Sequence, residues 1–264
     1  MTAKRSDIFR TLVQGYFSEK ELRVIYRPEP RILPDELLQR IAQNWKKLTK
    51  AEGQYLFNGP LCRLDGYSFQ NGLLQLHLGK TDYQELVYSN QHGRTIIRTW
   101  GEAYLSSALG ISAVVISQDD KIVLMKRSES VGEYPGRFDV FGGHIHPTED
   151  AVAGVPDPFV AMRNELKEEL NLDPGQLQSL ISIGLIANTE TQKPELLFKV
   201  KVPSTLEKII SNSHLASGAA EFECLFGVDD TAVSLKEFLH QEEGRLSPSA
   251  YGALWVYGQQ QGYI

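Results

Sequence analysis

Three glutamates in one short segment have the spacing that lets their side chains act together. Glu165, Glu168 and Glu169 stand at positions i, i+3 and i+4. On a helix their carboxylates share one face and repel one another unless a cation neutralises them. Oxygen ligands without nearby soft ligands suit Mg²⁺ or Mn²⁺. The alternative is a solvated helix face, so the segment alone predicts either a cation site or a charged surface.

A glycine-rich stretch precedes these glutamates and has the composition of a phosphate-binding turn. Gly142 and Gly143 lack side chains, which lets a diphosphate approach the backbone, and Asp139 and His144 flank the pair. Arg127 ends a predicted strand beside the turn and can offer its guanidinium group to a phosphate. The alternative for this arginine is a solvated position at the strand end.

The glutamates require a helix, and its two ends can be placed from the sequence. Asp157 is a good N-cap and Pro158 fits the first helical position. Asn171 suits the left-handed residue that ends a helix. We therefore expect a helix from about Pro158 to Leu170. Its core face carries Phe159, Met162, Leu166 and Leu170.

The rest of the chain alternates between strand and helix patterns. Asn71-Gly72 is a strong hairpin signal, and Asp119-Asp120 marks a second turn. The predicted strands are 61–69, 73–78, 111–117, 121–127, 177–186 and 196–202. The predicted helices, besides the acidic one, are 33–53, 206–212, 235–241 and 248–261. An α+β fold is expected.

Composition excludes several classes of protein. Lys plus Arg total 27 and Asp plus Glu total 33, a net charge of −6 without the basic excess that nucleic-acid binding needs. No apolar run is long enough to span a membrane and no signal peptide is recognised, so the expected location is the cytoplasm. Cys62 and Cys224 lie far apart and are both expected to be buried thiols.

The glycine-rich stretch and the acidic helix together resemble the Nudix hydrolase signature, G-x5-E-x7-R-E-U-x-E-E-x-G-U, where U is a bulky aliphatic residue. Gly143 and Glu149 match its beginning, and 165–169 with Leu172 match its end. The resemblance implies a Nudix α/β/α sandwich with a mixed sheet in residues 106–264. Residues 1–105 would be an N-terminal α+β extension that contributes to the nucleotide pocket.

Three departures from the signature affect the expected site. Fourteen residues, instead of seven, separate Glu149 from the arginine slot, so about seven have been inserted ahead of the helix. The slot itself holds Asn164, which can form hydrogen bonds but cannot form an ion pair with a glutamate. Asn171 replaces the last glycine, the mildest of the changes. The metal-binding part is expected to be intact, and the orientation of Glu149 is left open.

The whole chain resembles the animal UDP-glucose diphosphatase branch of the family, which carries the same departures. The matching segments lie between about residues 54 and 257 and include 56–60, 78–83, Trp100-Gly101, Arg127-Ser128, 142–144 and 248–252. The resemblance implies substrate contacts at Arg127, Gly132, Asp139, Gly143, His144, His146 and Ser249. His146 is the least secure, because its slot is acidic in that branch.

Two aromatic residues could supply a stacking face for a uracil ring. These are Phe57 and Tyr83. The alternative for each is an ordinary core position. A metal site at His144 and His146 is a further alternative, which a missing third soft ligand disfavours.

The implied reaction is Mg²⁺-dependent cleavage of UDP-glucose or UDP-galactose to UMP and a sugar 1-phosphate, with Mn²⁺ as a possible substitute. Glu165 and Glu169, helped by Glu168, would hold the ion while water attacks phosphorus. Glu168 or Glu149 would take the proton, with Glu195 a weaker choice. The alternatives are hydrolysis of another nucleoside diphosphate derivative, such as ADP-ribose or a dinucleotide, and a non-catalytic module that binds nucleotide sugars. The preferred sugar, the phosphorus attacked and the oligomeric state stay open.

Overall fold

The chain forms thirteen strands and six α-helices within residues 8–50 and 56–264, which the computed structural model describes. The strands are β1 (Phe9–Phe17), β2 (Leu22–Tyr26), β3 (Pro60–Gln70), β4 (Leu73–Asp82), β5 (Gly110–Ile116), β6 (Lys121–Arg127), β7 (Phe138–Asp139), β8 (Phe141–His144), β9 (Ala151–Val152), β10 (Val155–Pro156), β11 (Ser179–Asn188), β12 (Pro194–Lys201) and β13 (Phe222–Asp229). The helices are α1 (Asp35–Leu48), α2 (Tyr83–Thr99), α3 (Pro158–Leu170), α4 (Leu206–Ser213), α5 (Ala232–Gln241) and α6 (Pro248–Gln260).

The larger sheet has the strand order β1-β11-β12-β5-β6-β13, with β7 paired to β6 and β8 paired to β5. Strands β12 and β5 are parallel and the other pairs are antiparallel, so the sheet is mixed. Because β8 pairs with β5, Gly142 lies opposite Ser112 and Gly143 opposite Ile111. The glycine-rich stretch is therefore held at the centre of this sheet.

Strand β5 has both faces buried, because a helix covers each side of the sheet. Ile111, Ala113 and Val115 pack in one cluster with the apolar face of α3. Val114 and Ile116 pack in a second cluster with α6. Fully burying a side chain of this size stabilises the fold by about 1.5–3 kcal/mol. The α/β/α sandwich and the α+β class predicted from the sequence are confirmed.

A second, three-stranded sheet has the order β2-β4-β3 and packs beside the larger one. Its hairpin turns at Asn71 and Gly72, whose φ values of 52° and 79° are both positive, as the turn signal predicts. Leu74, Leu76 and Leu78 of β4 lie in the same apolar cluster as the inner face of α3. Strand β1, by contrast, pairs with β11 in the larger sheet.

Most predicted elements are present, and the departures have local causes. Helix α2 is not among the predicted elements, because Ser89 and Gly93 occupy two of its buried positions and interrupt the apolar repeat. The inserted residues form the short β9–β10 hairpin. The expected helix end near Gly53 lies outside the described residues, and α1 ends at Leu48. The burial predicted for Cys224 is wrong, since this residue lies exposed on an edge strand, whereas Cys62 is buried.

No helix in the described part of the chain is both long enough and apolar enough to cross a membrane.

Candidate active site

A cleft of about 490 Å³ opens where β5, β6 and β8 meet the loop that follows β6. Most of the predicted substrate-binding residues line it, and they come from distant parts of the sequence: Tyr83, Arg127, Gly132, Asp139, Gly143, His144 and Ser249. Pairing of β8 with β5 and of β7 with β6 brings the glycine-rich stretch beside the end of β6. The sheet thus assembles one site from these residues.

Two predicted substrate contacts do not line the cleft. Phe57 is 81% exposed, so it neither lines the cleft nor occupies a core position. The segment after it is tied to the start of α2, where the Tyr83 N–H donates to the Gly59 carbonyl at 3.0 Å. His146 is occupied locally, because its Nδ1 accepts the Glu149 N–H at 2.9 Å.

Helix α3 carries its glutamates directly beneath the glycine pair. A Cβ built on Gly143 would lie 2.2 Å from Oε1 of Glu165, so glycine is needed for this close approach. Glu169 is 2% exposed, and its Oε2 accepts the Gly142 N–H at 2.9 Å. The capping predicted for α3 places these side chains: Asp157 accepts N–H groups of the first turn, and Asn171 has left-handed angles.

The glutamates lie in a strongly anionic environment. Burial, followed by the charge of Glu168, raises the pKa of Glu165 to about 8. Burial and the charge of Glu221 raise the pKa of Glu168. Burial and the charge of Glu165 raise the pKa of Glu169. Nearby carboxylates therefore disfavour ionisation of all three glutamates, the situation that a bound cation relieves.

These residues fit a divalent cation by their chemistry. All of the donors are oxygens, and no Lys or Arg in the described ranges forms an ion pair with Glu165 or Glu168. Gly143 lines the cleft and the Glu165 carboxylate lies against it, although none of the three glutamates lines the cleft itself. As placed, however, no three acidic, His or Cys side chains of residues 8–50 and 56–264 converge tightly enough to form one ligand set.

The fourth predicted catalytic residue, Glu149, lies apart from Glu165 and Glu169, which contact the glycine pair. Its side chain is 80% exposed, and its closest ionic partner is Nε2 of His146 at 3.9 Å. Its charge contributes to the raised pKa of Glu168, after burial and the charges of Glu221 and Asp150. The structure thus brings Glu149 into electrostatic range of the helix without burying it.

A charged network at the other end of the cleft was not predicted. Nζ of Lys193 lies 3.0 Å from Glu133 and 4.0 Å from Glu195. Ser112 Oγ donates to Glu195 at 2.5 Å. Burial raises the pKa of Glu133, but the charge and hydrogen bond of Lys193, together with the Arg127 charge and His144, outweigh it, and the pKa falls to about 2. The sequence offers one signal for this network, the charged residues Lys193 and Glu195 at the start of a strand. Only Glu195 is selected from that segment on the basis of the sequence.

Arg127 is held in place by two neighbours. Its Nη1 lies 3.2 Å from Oδ2 of Asp139, and its Nε donates to the Glu133 carbonyl at 3.0 Å. The other Asp139 oxygen accepts from Ser247 at 2.6 Å. Asp139 therefore orients the guanidinium group.

His144 has an unusual environment at the wall of the cleft. Burial, reinforced by the charge of Lys193, lowers its pKa to about 3, so the imidazole is neutral. Its Nε2 is buried without a hydrogen-bond partner among the described residues. Such a group suits a polar contact with a ligand.

Comparisons with known proteins link the whole chain to one group of enzymes, although no family model matches it. It is 30% identical to uridine diphosphate glucose pyrophosphatase of Bos taurus, over 94% of each chain. The Homo sapiens protein of the same name is 29% identical, over 85% of this chain and 82% of that one. Nudix hydrolase 9 of Arabidopsis thaliana is 26% identical, over 61% and 62%.

Among solved structures, a MutT protein from Methanosarcina mazei aligns with 58% of this chain and 94% of its own, at 15% identity and a TM-score of 0.38. An Ap4A hydrolase complex from C. elegans aligns with 59% of this chain and 99% of its own, at 14% identity and a TM-score of 0.38. The relationship therefore rests on the sequence relatives.

Proposed function

This chain belongs to the Nudix hydrolase family and acts on pyrophosphate bonds, and from that premise we propose that its substrate is a UDP-sugar, UDP-glucose or UDP-galactose. The products would be UMP and a sugar 1-phosphate. The observation that carries the proposal is the approach of the Glu165 carboxylate to Gly143, which lines the cleft together with Arg127 and Tyr83. The names of the relatives support uridine as the nucleoside.

Nudix hydrolases generally need a divalent metal ion, and we propose Mg²⁺, with Mn²⁺ as a substitute. Glu165, Glu168 and Glu169 would hold it, because they are oxygen donors whose pKa values are raised by burial and by nearby carboxylates. When bound, the ion neutralises charge on the diphosphate and makes its phosphorus more susceptible to water.

Three residues are candidates for the proton acceptor. Glu168 lies in the anionic group, and burial and the Glu221 charge raise its pKa, which strengthens it as a base. Glu149 is mostly exposed. Glu195, the third choice, accepts from Ser112 beside Lys193. We propose Glu168 as the proton acceptor, with Glu149 as the alternative.

The other cleft residues would bind and orient the substrate. Arg127 contacts Asp139 through Nη1, so other N–H groups of its guanidinium can donate to a phosphate oxygen. Tyr83 would stack on the uracil ring, a contact worth about 1–3 kcal/mol. The orphan Nε2 of His144 would accept a hydrogen bond from a substrate hydroxyl or imide. Gly132 and Ser249 complete this surface.

A comparison of substrates tests the proposal. The kcat/KM for Mg²⁺-dependent release of UMP from UDP-glucose is measured beside that for AMP release from ADP-ribose. A preference for UDP-glucose supports the proposal, and a preference for ADP-ribose contradicts it. Saturable binding of UDP-glucose without product release would instead identify a non-catalytic binding module.

A further inference from the structure

Asp150 lies buried at the junction between the glycine-rich stretch and α3. Its Oδ1 accepts from Nδ2 of Asn164 at 2.7 Å, and its Oδ2 accepts the His146 N–H at 2.7 Å. Its main-chain carbonyl accepts the N–H of Asp157, the cap of α3, at 2.9 Å. The residue is only 6% exposed. One aspartate thus joins the turn, the helix cap and the helix face.

In the Nudix signature, the preceding residue, Glu149, occupies the position of the first glutamate, and Asn164 occupies that of the arginine. In this chain the main chain turns at that point, because the N–H groups of Thr148 and Glu149 both donate to Nδ1 of His146. The Glu149 side chain is left exposed, and the next residue faces the helix. Asn164, which fills the arginine slot, therefore meets the carboxylate of Asp150.

We propose that Asp150 is the positioning residue of the metal site, in place of the glutamate one position earlier. It clamps the turn at His146 to α3 at Asn164, the residue next to Glu165. The clamp keeps β8 in register with the helix, so that Gly143 meets the Glu165 carboxylate. The inference rests on the proposed function, because it concerns the cation that this function requires.

The replacement of an ion pair by an amide has an electrostatic consequence. An arginine opposite Asp150 would bring a positive charge to its carboxylate, whereas the neutral amide of Asn164 and the His146 N–H orient the carboxylate without one. That charge acts on both Glu165 and Glu168. The clamp therefore adds to the negative potential that attracts a cation.

Direct Mn²⁺ binding, measured without substrate from the EPR signal of free Mn²⁺, tests the proposal. D150N removes the carboxylate charge, and it keeps both hydrogen bonds only if the Asn164 amide turns over so that its Oδ1 accepts from the new NH₂ group. We expect Mn²⁺ binding to weaken roughly 10-fold or more. D157N is the matched control, because it removes a nearby charge while asparagine still caps the helix; its Mn²⁺ affinity should stay at the wild-type value.

The double variant D150N/N164D exchanges the partners and restores both hydrogen bonds. The new amide oxygen accepts the His146 N–H, and the new amide N–H₂ donates to the new carboxylate. We expect it to regain most of the lost Mn²⁺ affinity. If D150N does not fold, N164A removes the same contact from the helix side and should weaken Mn²⁺ binding in the same direction.

Three results would overturn the inference. One is Mn²⁺ binding by D150N that equals that of D157N. Another is a loss in E149Q as large as the loss in D150N. The last is a double variant that melts at the wild-type temperature but still binds Mn²⁺ weakly. A wild-type protein that binds Mn²⁺ but does not release UMP would contradict the proposed function and leave this test intact.

Discussion

At the scale of single residues, the two adjacent glycines of β8 have different roles. A Cβ on Gly142 would lie 2.0 Å from the carbonyl oxygen of Ile111, and its φ of 149° is poorly accessible to other residues. A Cβ on Gly143 would meet only the carboxylate end of Glu165, which can move. The first glycine therefore serves the sheet, and the second serves the site.

The variants G142A and G143A should separate these roles. We expect G142A to lower the free energy of unfolding by about 2 kcal/mol or more, because backbone must shift. We expect G143A to keep its stability but weaken Mn²⁺ binding roughly tenfold, because the Glu165 carboxylate is displaced. Urea unfolding and Mn²⁺ titration of both variants check this. Equal stability of G142A and G143A would contradict the assignment.

The ion pair of Glu133 and Lys193 should make the fold sensitive to acid. The pKa of Glu133 is about 2 in the folded chain, below its ordinary value of 4.5. The pair therefore stabilises the fold fully above pH 4.5, and this contribution is lost as pH falls towards 2. E133Q should cost up to about 3 kcal/mol at pH 7, because it leaves the buried lysine with only the more distant Glu195 as a partner.

Urea unfolding at several pH values tests this prediction. The stability difference between wild type and E133Q should be constant at neutral pH and shrink below pH 4.5. A difference that grows as pH falls would contradict the prediction. E129Q, which removes a charge from the same loop, is the control.

At the scale of elements, α3 could be predicted from the sequence to the residue. Its cap, its proline and its left-handed end are local signals, and each acts in the structure as expected. Helix α2 could not be predicted, because its buried face includes Ser89 and Gly93, which interrupt the apolar repeat. The contact across the β9–β10 insertion could not be predicted either, because the hydrogen bond between Asn164 and Asp150 joins residues on either side of the insertion.

The left-handed end of α3 supports a prediction at Asn171, whose φ is 54°. N171G should leave the free energy of unfolding unchanged or raise it slightly, because glycine adopts these angles without strain. N171A should lower it by about 1 kcal/mol. Chemical denaturation compares the two variants. An alanine variant as stable as the glycine variant would show that the cap has no energetic role.

At the scale of the whole molecule, strand β1 joins the predicted N-terminal extension to the predicted Nudix domain. Phe17 of β1 is 1% exposed and packs edge to face on Phe69, with ring centroids 5.4 Å apart. The sequence could not show this pairing, because β1 and β11 are far apart along the chain. The same holds for the cleft's charged network, in which Glu133 and Lys193 meet only after folding. A boundary at residue 105 stays a prediction.

The burial of Phe17 predicts that the extension contributes to global stability. F17A should lower the free energy of unfolding by about 3–5 kcal/mol, the usual cost of truncating a buried phenylalanine. F57A is the matched control, because its ring is mostly exposed, and it should change stability little. The prediction would be contradicted if F17A unfolded in a single cooperative transition with the same midpoint as the wild type.

Of all the groups in the site, the carboxylate of Glu165 is the one on which we expect Mg²⁺-dependent hydrolysis of a nucleotide sugar to depend most directly. The most direct test is UMP release from UDP-glucose, measured for wild type and E165Q with Mg²⁺ and with a chelator, alongside their melting temperatures. We predict turnover by the wild type with Mg²⁺ only, and loss of turnover in an E165Q protein that melts no lower than the wild type. Undiminished turnover by folded E165Q would contradict the account.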